Sequence, residues 1–371
     1  MPRPGLSVFI ALFLLLIPLG CTARAGVSEI DAPSLLLTRF TGSPVIMRAD
    51  VLVPDSYARD TTRRYPVVYV IHAFHGTFQV NARGEREWQR AIHEAGRDFI
   101  VVFLDASCAT GEHEFADSAN NGPWGTALTT EFIPAIDAKF RTLADGDDRF
   151  LYGHSSGGWA ALWLQIAHPE MFAGAWAIAP DPVDFADFTG PDLTRTPPGN
   201  FYHDERGNEY GFVRVNGHDT TTLRRFVHQE EATGRGNQFQ SFEAVFSPRG
   251  SDGKPESLFN RNTGAIDPNV AAYWVSHYDI ARILRDRWPQ LGPELKGKLH
   301  ITIGTEDTFH LDGSVRLLQT ELQQRGSDAR ITFVPGADHW QVLGVYGSEI
   351  ADSVRAMQET LVSERHPAIG K

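Results

Sequence analysis

The stretch Arg149-Phe150-Leu151-Tyr152-Gly153-His154-Ser155-Ser156-Gly157-Gly158 decides the fold. Its first four residues are apolar and β-favouring in the main, and the chain from Gly158 to Ala167 follows a helical pattern. Between them stands G-x-S-x-G, the sharp strand-to-helix turn that lifts a serine hydroxyl clear of a sheet edge. Glycines flank the serine because such a turn leaves no room for side chains on either side. The helix start behind it adds a partly positive field and free N–H groups where an oxyanion would form. Ser155 is therefore the expected nucleophile.

Working outward, short apolar runs alternate with longer helical patterns, the signature of a mainly parallel sheet covered on both faces. Strands are expected near Val45–Val53, Val67–His72, Phe99–Asp105, Arg149–Gly153, Ala173–Ile178, His300–Gly304 and Arg330–Val334. Helical patterns fall near Glu85–Ala95, Ala127–Phe140, Gly158–Ala167, Leu311–Gln324 and Ser348–Val362, with one further helix from Asn269 to Trp288. The order is that of a wound α/β sheet. Residues Asp181 to Pro268 interrupt it with Gly, Pro, Asn and charged residues and no clear period. An irregular length of that kind inside one domain points to a cap or a pocket wall. The expected organisation is a leader over 1–25 and one catalytic domain over 26–365, with 181–268 as an insertion within it.

A serine hydroxyl needs an imidazole to take its proton, and the imidazole needs a carboxylate to fix its tautomer. Two loops downstream supply them. The strand His300–Gly304 runs into Thr305-Glu306-Asp307-Thr308, and Arg330–Val334 runs into Pro335-Gly336-Ala337-Asp338-His339-Trp340. Both loops leave the C-terminal ends of strands expected to be parallel, where open α/β sheets place their sites, in the order Ser, Asp, His. Ser155, Asp307 and His339 form the expected triad. Glu306 and Asp312 compete with Asp307 for the acid's place, while Asp338, adjacent to the histidine, reads as a turn residue. The oxyanion hole needs one N–H from the residue after the nucleophile, Ser156, and one from the loop Ala73-Phe74-His75-Gly76, where Phe74 is the expected donor.

His72, His75, His154 and His310 also fall near strand ends, but His72 and His75 lack the further ligands of a zinc site. Neither a metal nor a cofactor is expected. Trp124 and Trp340 are candidates for an aromatic wall against the substrate, with packing against the sheet edge as the competing reading.

The chain carries 34 Lys and Arg against 46 Asp and Glu, a net charge of −12. This argues against nucleic acid or an anionic membrane surface as partner, since those need concentrated Lys and Arg. Arg3, the apolar run Leu6–Leu19 and Ala23-Arg24-Ala25 read as an export signal cleaved after Ala25, giving a periplasmic or secreted protein. A second reading takes Leu19-Gly20-Cys21 as a lipoprotein box with Cys21 acylated. Either way Cys108 has no intrachain partner, and it reads as a small buried or pocket-wall residue.

With these residues assembled, the chain resembles the α/β-hydrolase superfamily, in the esterase branch that includes esterase D-like, feruloyl-esterase-like and enterochelin-esterase-like proteins. Tyr65 to Ala73 looks like that branch's strand and oxyanion loop, with Ala73 departing from its usual His-Gly pair. The elbow Gly153–Gly158 resembles its nucleophile, Gly304 to Asp307 its acid loop and Gly336 to Trp340 its histidine loop. The resemblance implies hydrolysis of a small-molecule or glycan-linked carboxylic ester through an acyl-serine. Transfer of the acyl group to another acceptor is the nearest competitor, and a non-catalytic binder on the same shell a more distant one.

Overall fold

The computed structural model describes residues 26–365 apart from 235–236 and 345–346, so the expected leader, with Cys21, lies outside the described residues. The apolar runs form β1 (Val27–Ser34), β2 (Val45–Leu52), β3 (Val67–Ile71), β4 (Ile100–Leu104), β5 (Arg149–His154), β6 (Gly174–Ile178), β7 (Leu299–Gly304) and β8 (Arg330–Val334). Among the described residues they join in one sheet in the order β1-β2-β4-β3-β5-β6-β7-β8. The β1–β2 and β2–β4 pairs are antiparallel and the others parallel. Parallel neighbours need long returning connections, and helices such as Ala82–Ala95, Ser156–Ala167 and Leu311–Gln324 provide them.

Side chains alternate between the faces with the two-residue period of a strand. Val68, Phe150 and Trp176 enter the core on one face, and Val67, Tyr69, Leu151 and Ala175 that on the other. The helix Ser156–Ala167 touches both, with Trp159, Leu162 and Ile166 in the first core and Ala160, Ala161 and Leu164 in the second. That double burial explains why it is apolar nearly all round. Register then places the site: Ile71 lies opposite Gly153, Ile178 opposite His154, and Gly304 opposite Val334. With Leu104 opposite Ile71, the chain accordingly leaves six parallel strands at one edge of the sheet.

One strand is added and two expectations are corrected. The edge strand β1 is not among the expected strands; Asp31 and Pro33 break its apolar alternation, and it forms by pairing residue for residue with β2. The helix expected over Asn269–Trp288 is two helices, Pro268–His277 and Ile280–Glu294. Asp279 starts the second by accepting a hydrogen bond from the Arg282 N–H at 3.1 Å. Finally, 181–268 is not irregular throughout. It holds a hairpin, Gly211–Val215 with His218–Thr222, and the helices Leu223–Thr233 and Gln238–Phe246.

Candidate active site

Ser155 sits between β5 and the helix Ser156–Ala167 with φ 57° and ψ −123°, a backbone conformation that costs an L-residue on the order of 1–3 kcal/mol. Its neighbours hold it there. The Ser155 N–H donates to Ile178 O at 2.9 Å, and the Gly158 and Trp159 N–H groups donate to its carbonyl at 2.8 and 3.0 Å. The flanking glycines are required by close approach: a Cβ on Gly153 would lie 2.0 Å from Gly157 O, and one on Gly157 would lie 2.2 Å from Ile71 O. Ser156 opens the helix, so its N–H has no partner within it and is available to an oxyanion.

The expected acid and histidine meet. His339 Nδ1 donates to Asp307 Oδ2 at 2.7 Å, with both side chains almost wholly buried. Asp307 Oδ1 accepts from the N–H groups of Phe309 at 2.9 Å and Leu311 at 3.3 Å, which fixes the carboxylate in its loop. With its proton on Nδ1, the imidazole presents Nε2 as a base. His339 and Ser155 line one cavity of about 240 Å³. Glu306 and Asp312 turn instead toward Arg214, at 3.7 and 2.8 Å. Asp338 is the turn residue expected, its Oδ1 accepting from the Trp340 and Gln341 N–H groups.

Arg214, on the inserted hairpin, was not foreseen. Its Nε and Nη2 donate to Asp307 O at 3.1 and 2.9 Å, its N–H donates to Thr308 O at 2.8 Å, and its Nη2 also reaches Asp312. The insertion thereby grips the loop that carries the acid. His154 underpins the histidine loop from the other side, with Nε2 donating to His339 O at 2.9 Å. Burial, reinforced by the neighbouring His339, pushes the His154 pKa down to about 3, so it stays neutral.

The oxyanion loop follows β3. Phe74 and His75 stack at 4.1 Å between ring centres, and both line the cavity. His75 takes φ 56°, and a Cβ on Gly76 would meet Ala73 O at 2.6 Å, so Gly76 is needed for close approach. His72 pins this turn: Nδ1 donates to Ala73 O at 3.0 Å while Nε2 accepts from the Ala106 N–H at 2.9 Å. Asp105 and Glu112 beside it favour a second proton, but the Ala106 donor excludes one from Nε2.

Trp340, more than half exposed, lines the cavity beside His339 as expected. Trp124 does not. It is buried, stacked on His113 at 3.6 Å, with Nε1 donating to Asn121 O at 3.0 Å. It borders a separate cavity that also carries Cys108 and Asn121, so its packing reading is the correct one. Cys108 is a pocket-wall residue there, its thiol pKa raised by burial.

The wall of the catalytic cavity comes largely from the insertion, through Phe212, Phe226, Phe239 and Phe242. Asp181, just past the end of β6, lies directly at the nucleophile. The Ser155 hydroxyl donates to its Oδ1 at 3.3 Å and the Ser156 hydroxyl to its Oδ2 at 2.7 Å. Burial raises its pKa to about 6, partly offset by the Ser156 hydroxyl and the nearby His339. The signal that would have found Asp181 is its place as the first carboxylate beyond a parallel strand's C-terminal end.

The sheet order and the loops gathered at its edge define an α/β-hydrolase fold with a serine at the elbow. The chain belongs to the family described as "Putative esterase", whose model matches residues 45–341. Esterase MT1326 and Esterase Rv1288, from the CDC 1551 / Oshkosh and H37Rv strains of Mycobacterium tuberculosis, are each 35% identical to it over 147 residues. Those residues are 38% of this chain and 31% of each relative, so the chain spans about a third of the length of the curated relatives it matches. Among solved structures it is similar to a ferulic acid esterase, with TM-score 0.56 and 15% identity over 90% of this chain and 98% of that one. An S-formylglutathione hydrolase from Agrobacterium tumefaciens gives TM-score 0.55 and 17% identity, covering 92% and 99%. The fluorophosphonate-binding serine hydrolase F of Staphylococcus aureus gives 0.51 and 13%, covering 90% and 98%. At such identities the likeness is one of fold.

Proposed function

We propose that the protein hydrolyses a small carboxylic ester through an acyl-enzyme on Ser155. The observation that carries this reading is the buried Asp307–His339 bond at the wall of the same cavity that Ser155 enters from its strained elbow. Ser155 Oγ attacks the ester carbonyl, and His339 Nε2 takes the hydroxyl proton and returns it to the leaving alkoxide. Water then repeats the sequence on the acyl-serine and frees the acid. Asp307 holds the tautomer and steadies the imidazolium. The N–H groups of Ser156 and Phe74 receive the oxyanion.

A cavity of about 240 Å³ lies below the ~300–1,000 Å³ usual for drug-sized ligands. Its size and its phenylalanine walls suit one ring or a short acyl chain, with the alcohol portion extending outward. The neighbours named for ferulic acid and S-formylglutathione accord with small-molecule esters. We also infer export, from Arg3, Leu6–Leu19 and Ala23-Arg24-Ala25. The test is turnover of short acyl p-nitrophenyl esters: Ser155→Ala should lower kcat on the order of 10⁶-fold, and undiminished turnover would refute the reading.

A further inference from the structure

We propose that the cavity is built for an ester whose acyl group carries a protonated amine next to the scissile carbonyl, with Asp181 as the counter-charge. This rests on the esterase reading above. Asp181 Oδ2 is engaged by the Ser156 hydroxyl at 2.7 Å and by Gln238 Nε2 at 3.4 Å, whereas Oδ1 faces Ser155 Oγ at 3.3 Å. Holding the start of the helix would need Oδ2 alone. Oδ1 is left pointing at the place where substrate binds.

A carboxylate there is a handicap for an ordinary ester. At about 4 Å two like charges repel by ~4 kcal/mol at an effective dielectric of about 20, and the tetrahedral intermediate bears its negative charge close by. A substrate that brings a cation removes the penalty. An amine on the carbon beside the carbonyl lies two bonds from the atom Ser155 attacks, within hydrogen-bond reach of a carboxylate that contacts Oγ. The counter-charge would therefore act at the reacting centre.

A second carboxylate supports the same chemistry. Glu230 also lines the cavity, and while its Oε1 accepts from the Gln238 N–H at 2.8 Å, its Oε2 is buried with no hydrogen-bond partner. Among the described lining residues there is no lysine or arginine, and six of them are phenylalanines. Ring faces attract cations and offer nothing to an anion. Burial raises the Asp181 carboxyl to about 6, with the Ser156 hydroxyl and His339 drawing it down and Glu112 pushing it up. Burial, with Asp181 and Glu112 nearby, pushes the Glu114 carboxyl well above the usual carboxylate range.

The experiment compares phenylalanine ethyl ester with 3-phenylpropanoic acid ethyl ester, which differ in the amine, at pH 7.5 on the wild type, Asp181→Asn and Glu230→Gln. The readout is the ratio of the two kcat/KM values in each protein, so that general loss of activity and the intrinsic reactivity of each ester cancel. The ratio should fall at least tenfold in Asp181→Asn and by a smaller factor in Glu230→Gln. If Asp181→Asn does not fold, Glu230→Gln alone must lower the ratio. A ratio unchanged by the substitutions, with both esters hydrolysed, overturns the amine site and leaves the esterase reading standing. Failure of the wild type on these esters and on p-nitrophenyl esters alike overturns both.

Discussion

Replacing Arg214 with methionine tests whether the insertion helps to hold the catalytic acid. Methionine keeps the apolar stem and removes two hydrogen bonds to Asp307 O and the ion pair with Asp312. A bond from a charged donor is worth roughly 1.5–3 kcal/mol. The second prong of a fork adds less than the first, and Arg316 remains 3.4 Å from Asp312 to limit the exposed charge. The contact with Glu306, at 3.7 Å and half in solvent, contributes little. The expected cost is thus about 3 kcal/mol, read as a lower urea midpoint at unchanged slope.

The effect on catalysis should be smaller than loss of the carboxylate. Asp307 Oδ1 keeps its two backbone donors, so the acid stays near His339 but is less firmly aimed. A wrong tautomer costs ~10⁴-fold; a loosened acid should cost about 10- to 100-fold in kcat, with KM within about twofold. Arg214→Lys keeps the charge without the fork and should fall between the two. If Arg214→Met retains wild-type kcat and midpoint, the grip is incidental and the argument fails.

Gly157→Ala drives a methyl group against Ile71 O, which is backbone and cannot swing aside. Stability should drop by about 3 kcal/mol, the upper end of the usual range for an added methyl group, with esterase activity lost in the soluble fraction; a normal melt and normal turnover would contradict the packing account. Glu349 is buried, accepts from Ser353 Oγ at 2.6 Å and from the Tyr152 hydroxyl, and has its pKa raised by burial to about 7. Its folded value lies above its unfolded one, so between about pH 4.5 and 7 the folded state binds more protons and stability falls as pH rises. Glu349→Gln should remove up to about 3 kcal/mol of that decline, at ~1.4 kcal/mol per pKa unit. Urea titrations at pH 5 and pH 8 should therefore show a gain for Glu349→Gln at pH 8 only, and an equal change at both would show that the group is not titrating.

The positions of Ser155, Asp307 and His339 at the sheet edge could be read in the sequence because each follows directly from a strand that announces itself. Val67–Ile71, Arg149–His154, Leu299–Gly304 and Arg330–Val334 are apolar runs whose adjacent C-terminal ends put His339 on Asp307 and both His339 and Ser155 on one cavity. The cavity wall could not be read in this way. The helix Leu223–Thr233 buries only Leu223 and Val227, too few to show a period, while Gln238–Phe246 buries seven of nine residues and so shows none either. Trp124 was misplaced because its partner His113 stands in another loop, and which face of a ring is covered depends on that tertiary contact. Asp181 escaped because its chemistry lies in its distance to Ser155, which the strand end at Ile178 does not by itself reveal.

The inserted wall is not a detachable lid. Phe239, Phe242 and Phe246 belong to the same continuous packing as Trp159 behind the nucleophile and Trp274 beyond it. Retuning selectivity by truncating those rings would hollow out the scaffold at the same time, since removing a buried phenylalanine side chain costs roughly 3–5 kcal/mol. Laboratory evolution toward new esters should therefore accumulate compensating substitutions far from the cavity before it alters these positions.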